Sequence, residues 1–307
     1  MTNRFAQLAT FEDPFTLTVT EGEEPHAGPG QVRVRVAAVG LNPLDWKVAS
    51  NPHTAEGFGV SAPTGFGGDM AGTVDEVGDG TEGFAVGDRV FGQAGLGQAA
   101  AQYVVIDHPE KDLVHTPDKL SDEVAAGLPI VALTADGALT TIGLTKGDTL
   151  LIGGAAGGVG TITVQLAARM GATVIGTASE GNHEYLRSLG AIPTTYGPGL
   201  ADRVRKLAPT INAALDLNGT QTAEAAVELG VAPGRIGVIA AGDDAPAGVQ
   251  RTGMVKATDG ALSRIADLVA DGDIVLPIQQ VFPLDQIQDA VTLQRGGHVR
   301  GKVIVRI

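Results

Sequence analysis

The chain has 307 residues, 43% hydrophobic and 18% charged, a balance that suits about two globular domains with real cores and excludes a disordered or fibrous chain. Its formal net charge of −14 excludes nucleic acid and anionic membrane surfaces as broad partners, because both are polyanions. With no cysteine it forms no disulfide, no thiolate metal site and no cysteine nucleophile.

The first residues, Met1 to Phe5, lack the apolar core of a secretory leader, so a cytoplasmic location is the expectation. Up to about residue 120 the chain reads as short strands between glycine and proline turns. Residues 31–36 alternate strictly, which predicts a strand with one wet face, and residues 72–78, 88–92 and 101–106 have the same character. Strands of this kind predict a compact, barrel-like domain. Residues 51–68 read instead as a long loop rich in Gly, Pro and Ser.

From about Ser121, placed to cap a helix, apolar strands alternate with helices. Strands are predicted at 150–152, 173–176, 212–216, 235–240 and 251–256, with helices at 182–189, 221–229 and 261–270. This βαβ alternation predicts a parallel sheet with helices on both faces. The tail returns to strands at 274–278 and 302–307 around a helix near 284–293, and is expected to rejoin the first domain. The expected domains are therefore 1–120 and 121–272, with 273–307 returning to the first.

Residues 149–168 are the most informative stretch. An apolar run, Leu150-Leu151-Ile152, is followed by a glycine turn, and the apolar period then changes from two to about 3.6, as in a strand, turn and helix. Ala155, Gly157 and Gly160 fill the three positions of the dinucleotide fingerprint, with alanine in the first. A side chain at 157 would hold the backbone off a diphosphate, and one at 160 would push the helix off its strand. The helix start offers free N–H groups and a partial positive charge to an anion. The stretch is uncharged and long enough to be a membrane span, but its five glycines and Gln165 suit lipid poorly. An ordinary glycine-rich turn is the remaining alternative, and the flanking sequence has to decide.

Five landmarks occur in order: residues 40–47 (Gly-Leu-Asn-Pro-Leu-Asp-Trp-Lys), 68–72 with Val77-Gly78, 84–90, 155–160 and 297–302 (Gly-His-Val-Arg-Gly-Lys). With them the chain resembles, over nearly its whole length, the zinc-independent quinone oxidoreductase branch of the medium-chain dehydrogenase/reductase superfamily. The resemblance implies an α/β fold in which a Rossmann doubly wound parallel sheet is inserted in a β-rich, chaperonin-10-like barrel domain. It also implies a homodimer that uses NADPH, or less favourably NADH, to reduce a small quinone or an α,β-unsaturated carbonyl compound. Zinc-dependent relatives carry a cysteine where this chain has Asn42 and Gly-His-Glu where it has Gly67-Gly68-Asp69, so no metal is expected. Two other activities stay open: an NADPH-binding redox sensor or partner protein with little turnover, and an enoyl-thioester reductase.

The resemblance also assigns residues. Lys47 is a candidate to contact the reactive end of the cofactor or the substrate oxygen, the alternative being a surface lysine. Asn42 is a candidate hydrogen-bond donor in the cleft, or else a turn residue before Pro43. Trp46 reads as a packing anchor, and Asp45 and Asp69 as structural acids bonded to backbone. Ala155, Ala156, Gly157, Gly158, Val159 and Gly160 form the diphosphate turn, and Thr134 matches a threonine that lies against the nicotinamide. Asn218 and Ala240, Ala241 and Gly242 follow strands at positions suited to backbone contacts with carboxamide and ribose. Cofactor choice falls at the end of the second strand, where Ala178 or Ser179 replaces the carboxylate of an NAD site; Glu180, one residue on, argues the other way. Ser179, Asn182 and Tyr196 are candidate donors to a 2′-phosphate, with Arg300 of the tail as a candidate charge.

Overall fold

The computed structural model describes residues 2–307 apart from the side chain of Asp243; Met1, the first residue of the segment expected to lack a leader's apolar core, lies outside it. The chain forms two compact units, one of residues up to 129, 262–271 and 277–307, the other of residues 130–261 and 272–276.

In the first unit β1 (Thr2–Leu8) and β2 (Leu17–Glu23) pair antiparallel. The following strands are β3 (Val32–Gly40), β4 (Asp69–Val77), β5 (Arg89–Gln93), β6 (Tyr103–Ile106) and β7 (Leu113–His115). The alternation of β3 turns Val32, Val34 and Val36 into the core, but its second face is only partly wet. Arg33 is 8% exposed and Arg35 exposed, because Arg33 lies under Tyr103 and bonds Asp75 and Glu24. Those carboxylates hold the Arg33 guanidinium charged, raising its pKa. Between β3 and β4 stand α1 (Pro43–Ser50) and α2 (Pro52–Gly57), so residues 51–68 are not wholly a loop: Asn51 caps α2 by accepting from the Thr54 N–H. The short α3 (Pro109–Asp112) and α4 (Asp122–Gly127) complete this part, and Ser121 caps α4 as expected, accepting from the Val124 N–H. The unit runs past residue 120 because α4 packs on β3 so closely that a Cβ on Gly40 would lie 2.1 Å from Ala126 O.

The second unit begins with α5 (Pro129–Thr141) and continues through β8 (Thr149–Gly153), α6 (Gly158–Arg169), β9 (Thr173–Thr177), α7 (His183–Ser188), β10 (Ala191–Thr194), α8 (Leu200–Arg205), β11 (Ala213–Asp216), α9 (Gln221–Glu228), β12 (Ile236–Val238) and β13 (Gln250–Arg251). The six strands are parallel, in the order β10-β9-β8-β11-β12-β13. Helices cover the sheet, so β8 is buried on both faces and Leu150, Leu151 and Ile152 are all fully inaccessible. Each such side chain contributes about 1.5–3 kcal/mol, and an unbroken apolar run is what a central parallel strand requires. The strand expected at 251–256 is shorter and earlier: pairing ends at Arg251, and Met254–Lys256 is a 3₁₀ turn.

The last part holds α10 (Ala261–Ala270), β14 (Ile278–Pro283), α11 (Ile287–Arg295) and β15 (Lys302–Arg306). The strand expected at 274–278 is absent, because the backbone of Val275 bonds to a side chain: Gln165 accepts from its N–H and donates to its C=O, each at 2.8 Å. α10 groups with the first unit, as do β14 and β15, which extend the first unit's sheet in the order β14-β15-β3-β4-β5-β7, with β6 also on β3. Among the described residues no helix is long and apolar enough to cross a membrane.

Candidate active site

The parallel strands bring their C-terminal ends to one edge of the second unit, and strand order reverses between β8 and β11, where a doubly wound sheet opens a crevice. The turn after β8 sits there, with the Ala155 N–H donating to Thr177 O of β9 at 3.1 Å. Gly157 is the N-cap of α6 and has no side chain to satisfy it, so the first-turn N–H groups of Gly158, Val159 and Gly160 lack intrahelical acceptors. A Cβ on Gly160 would lie 2.3 Å from Gly154 O and 2.7 Å from Ala155 Cα, whereas one on Gly157 would meet nothing nearer than 3.5 Å. Packing within the unit therefore demands glycine at 160. At 157 the space is open, which is what close approach of a diphosphate needs.

Asn218, after β11, stands over this turn: a Cβ on Gly154 would lie 3.4 Å from Asn218 Cβ. The buried Asp216 carboxylate accepts from the N–H groups of Asn218, Gly219, Thr222 and Ala223 at 2.7–3.2 Å, which leaves the carbonyls and the Asn218 side chain for a ligand. Ala240, Ala241 and Gly242 follow β12 at the same edge. So do Ser179 and Asn182 after β9, where Asn182 Nδ2 donates to Ser179 Oγ at 3.3 Å. Tyr196, half exposed, follows β10 on a loop whose carbonyls, from Thr195 to Pro198, accept from the Arg203 guanidinium. Sequence reading missed Arg203; its only signal was an arginine one turn after a Gly-Pro-Gly. Thr134 is buried on α5 of this unit, whereas Arg300 belongs to the first unit, exposed, its N–H donating to Gln279 Oε1.

In the first unit a buried polar corner forms where neighbouring strands end together. The register pairs Ile304 with Gly40, and Gly40 and Gln93 with Asp69, so the start of β15, the residues after β3, the start of β4 and the end of β5 converge. Lys302 Nζ donates to Asn42 Oδ1 at 2.6 Å and to Leu41 O at 2.8 Å. Asn42 Nδ2 donates to Asp69 Oδ2 at 2.9 Å and to Gly40 O at 3.1 Å, and Gln93 Nε2 donates to Asp69 Oδ1 at 3.3 Å. Asp45 Oδ2 accepts from the Asn42 N–H at 2.7 Å, closing a capping box, while Asp45 Oδ1 is buried without a partner. Asn42, Asp45, Asp69 and Lys302 are each at most 5% exposed. Burial pushes the Asp45 carboxyl up to about 7, helped by Asp69 and opposed by the Asn42 N–H and Lys302; burial likewise lowers Lys302.

Both amide hydrogens of Asn42 are thus consumed inside the unit, and the donor role expected for it is not open in this conformation. Asp45 bonds backbone as expected, and Asp69 accepts from the Asn42 and Gln93 side chains. Lys47 is half-buried on α1 with Nζ 5.8 Å from the Trp46 ring centroid, and the Arg295 guanidinium lies 5.2 Å from the same ring. Trp46 packs on the unit's core.

Two family models match the chain: an alcohol dehydrogenase GroES-like domain over residues 28–118 and a zinc-binding dehydrogenase over residues 198–305. The chain is 30% identical over 305 residues to the chloroplastic quinone-oxidoreductase QR1 of Triphysaria versicolor, spanning 92% of this chain and 91% of that one. It belongs to the medium-chain dehydrogenase/reductase superfamily. A quinone oxidoreductase structure from Coxiella burnetii superposes with a TM-score of 0.88 at 27% identity over the whole of both chains. A segment of 184 residues is 41% identical to the spectinabilin polyketide synthase system protein NorB of Streptomyces orinoci, covering 59% of this chain but 8% of that protein. A further relative is spanned over 52% of its length.

Within this superfamily the polar corner does not suit zinc. The chain has no cysteine, and the oxygen of Asn42 already faces the ammonium of Lys302, which would repel a metal cation. Among the described residues no three His, Cys, Asp or Glu side chains are grouped to hold a metal ion. The glycine turn, by contrast, fits a nicotinamide dinucleotide, because a glycine-start helix and an open approach at Gly157 are what its diphosphate requires.

Proposed function

We propose that the protein is a metal-free, NADPH-dependent reductase of small quinones or α,β-unsaturated carbonyl compounds. The observation that carries this reading is the open approach at Gly157 before the first turn of α6, whose N–H groups lack intrahelical acceptors, in a chain of this superfamily. Residues 155–160 would hold the diphosphate, Asn218 and residues 240–242 the nicotinamide half with Thr134, and Ser179, Asn182 and Tyr196 a 2′-phosphate, with Arg300 as a further charge. When bound, the dihydronicotinamide supplies a hydride. Lys47 would stabilise negative charge growing on the acceptor oxygen, whereas Asn42, its donors consumed, holds the start of α1 in place. A homodimer and a cytoplasmic location go with this reading, and light scattering of the purified chain tests the first.

Oxidation of NADPH and of NADH, followed at 340 nm against a quinone panel and an enone panel, is the direct test. Faster turnover with NADPH and either panel is expected. Tight nucleotide binding with no oxidation by either panel would favour a redox sensor and refute the reductase. The similarity to a polyketide synthase system protein favours one second reading, an enoyl-thioester reductase. A crotonyl thioester reduced faster than any quinone or free enone would select it.

A further inference from the structure

The polar corner of the first unit contains a lysine that the proposed chemistry leaves unused. An ammonium only donates and a carboxylate only accepts, so between Lys302 and Asp69 the Asn42 amide has a single satisfactory orientation, Oδ1 toward the lysine and Nδ2 toward the acid. Turning the amide over would set NH₂ against the ammonium and carbonyl against the carboxylate in a buried place. Lys302 also takes the Leu41 carbonyl, so it grips the two residues that lead into α1, the helix carrying Lys47. Its charge acts on both buried acids, Asp69 and Asp45. The ammonium against Asn42 Oδ1 would repel a divalent ion; the positive charge of the corner comes from a side chain delivered from a distant part of the sequence.

We propose that Lys302 is a built-in cation standing in for a metal: it balances the buried Asp69 carboxylate across Asn42, fixes the Asn42 amide and acts as the positioning residue for the start of α1. Only the activity readout below rests on the reductase reading.

The test uses the full chain with Lys302→Ala, which leaves both acceptors in place and a gap the size of a small amine. The melting temperature of the variant falls, and its kcat for the best acceptor drops at least tenfold while its KM for NADPH changes less than twofold. Methylammonium at 100 mM restores at least half of both losses, and tetramethylammonium, which has no N–H to donate, restores neither. No rescue by methylammonium, or equal rescue by both cations, overturns the proposal. Should the variant fail to fold, ¹⁵N NMR of the unaltered chain decides: a Lys302 Nζ in the ammonium range at pH 7, with Asn42 amide hydrogens that exchange slowly, is expected, and a neutral amine overturns the assignment. Zinc bound stoichiometrically by the unaltered chain also overturns it. If no acceptor oxidises NADPH, the reductase reading fails, while melting temperature and NMR still decide the role of Lys302.

Discussion

Asp45 shows how a residue's surroundings reverse its ordinary behaviour. Its pKa rises from the ordinary 3.8 to about 7 because the carboxyl is buried, one oxygen without a partner, and Asp69 is near. The folded chain therefore holds a proton that the unfolded chain has lost, and between pH 4 and pH 7 the contribution of Asp45 to stability falls as pH rises. Asp45→Asn keeps an oxygen for the Asn42 N–H and removes the titration. Denaturant midpoints measured from pH 5 to pH 8 should show the variant gaining on the wild type as pH rises; a constant difference would mean that Asp45 titrates like an exposed carboxyl. At Lys47 the expectation is catalytic: Lys47→Ala should lower kcat roughly tenfold or more, as the loss of one charge-stabilising donor does, with NADPH affinity unchanged by fluorescence titration. Full activity in that variant would remove Lys47 from the site. Neither acid's environment was legible beforehand, because burial and partnership are set by other strands, although the sequence did mark Asp45 and Asp69 as structural.

At the scale of the element, the β8-turn-α6 unit separates two uses of glycine that look identical in sequence. Gly160→Ala drives a methyl to 2.3 Å from Gly154 O, an overpacking that should cost about 1–3 kcal/mol and lower the melting temperature. Gly157→Ala meets nothing nearer than 3.5 Å, so stability should hold while affinity for NADPH, by calorimetry, falls at least tenfold. Equal melting temperatures for the two variants would contradict the packing argument. Local pattern served well here: the strand, the turn, the helix, the cap at Ser121 and α10 over Ala261–Ala270 are all legible from period and capping chemistry. It failed where a side chain replaced a strand partner, as Gln165 does for Val275, and where residues 51–68, read as a loop, contain the capped helix α2. Neither event leaves a periodic trace.

For the whole molecule, the two units draw on distant parts of the chain, the tail supplying β14 and β15 to the first unit's sheet. Nucleotide binding should couple to global stability by mass action: at a hundredfold excess over its Kd, NADPH adds about 2.7 kcal/mol, and the melting temperature rises by several degrees. A smaller rise with NADH at equal concentration is expected; the reverse order would place Glu180, not Ser179 and Asn182, in control of the ribose. By itself the sequence determined the family, the parallel sheet and the glycine turn between β8 and α6, because these depend on short-range rules: apolar period, small residues at a helix start and the order of landmarks. Only the tertiary structure decided the polar corner. Lys302 and Asn42 are 260 residues apart, and the register of β15 on β3, which no local pattern encodes, places a buried ammonium on the amide and changes Asn42 from an expected donor into a fixed internal contact.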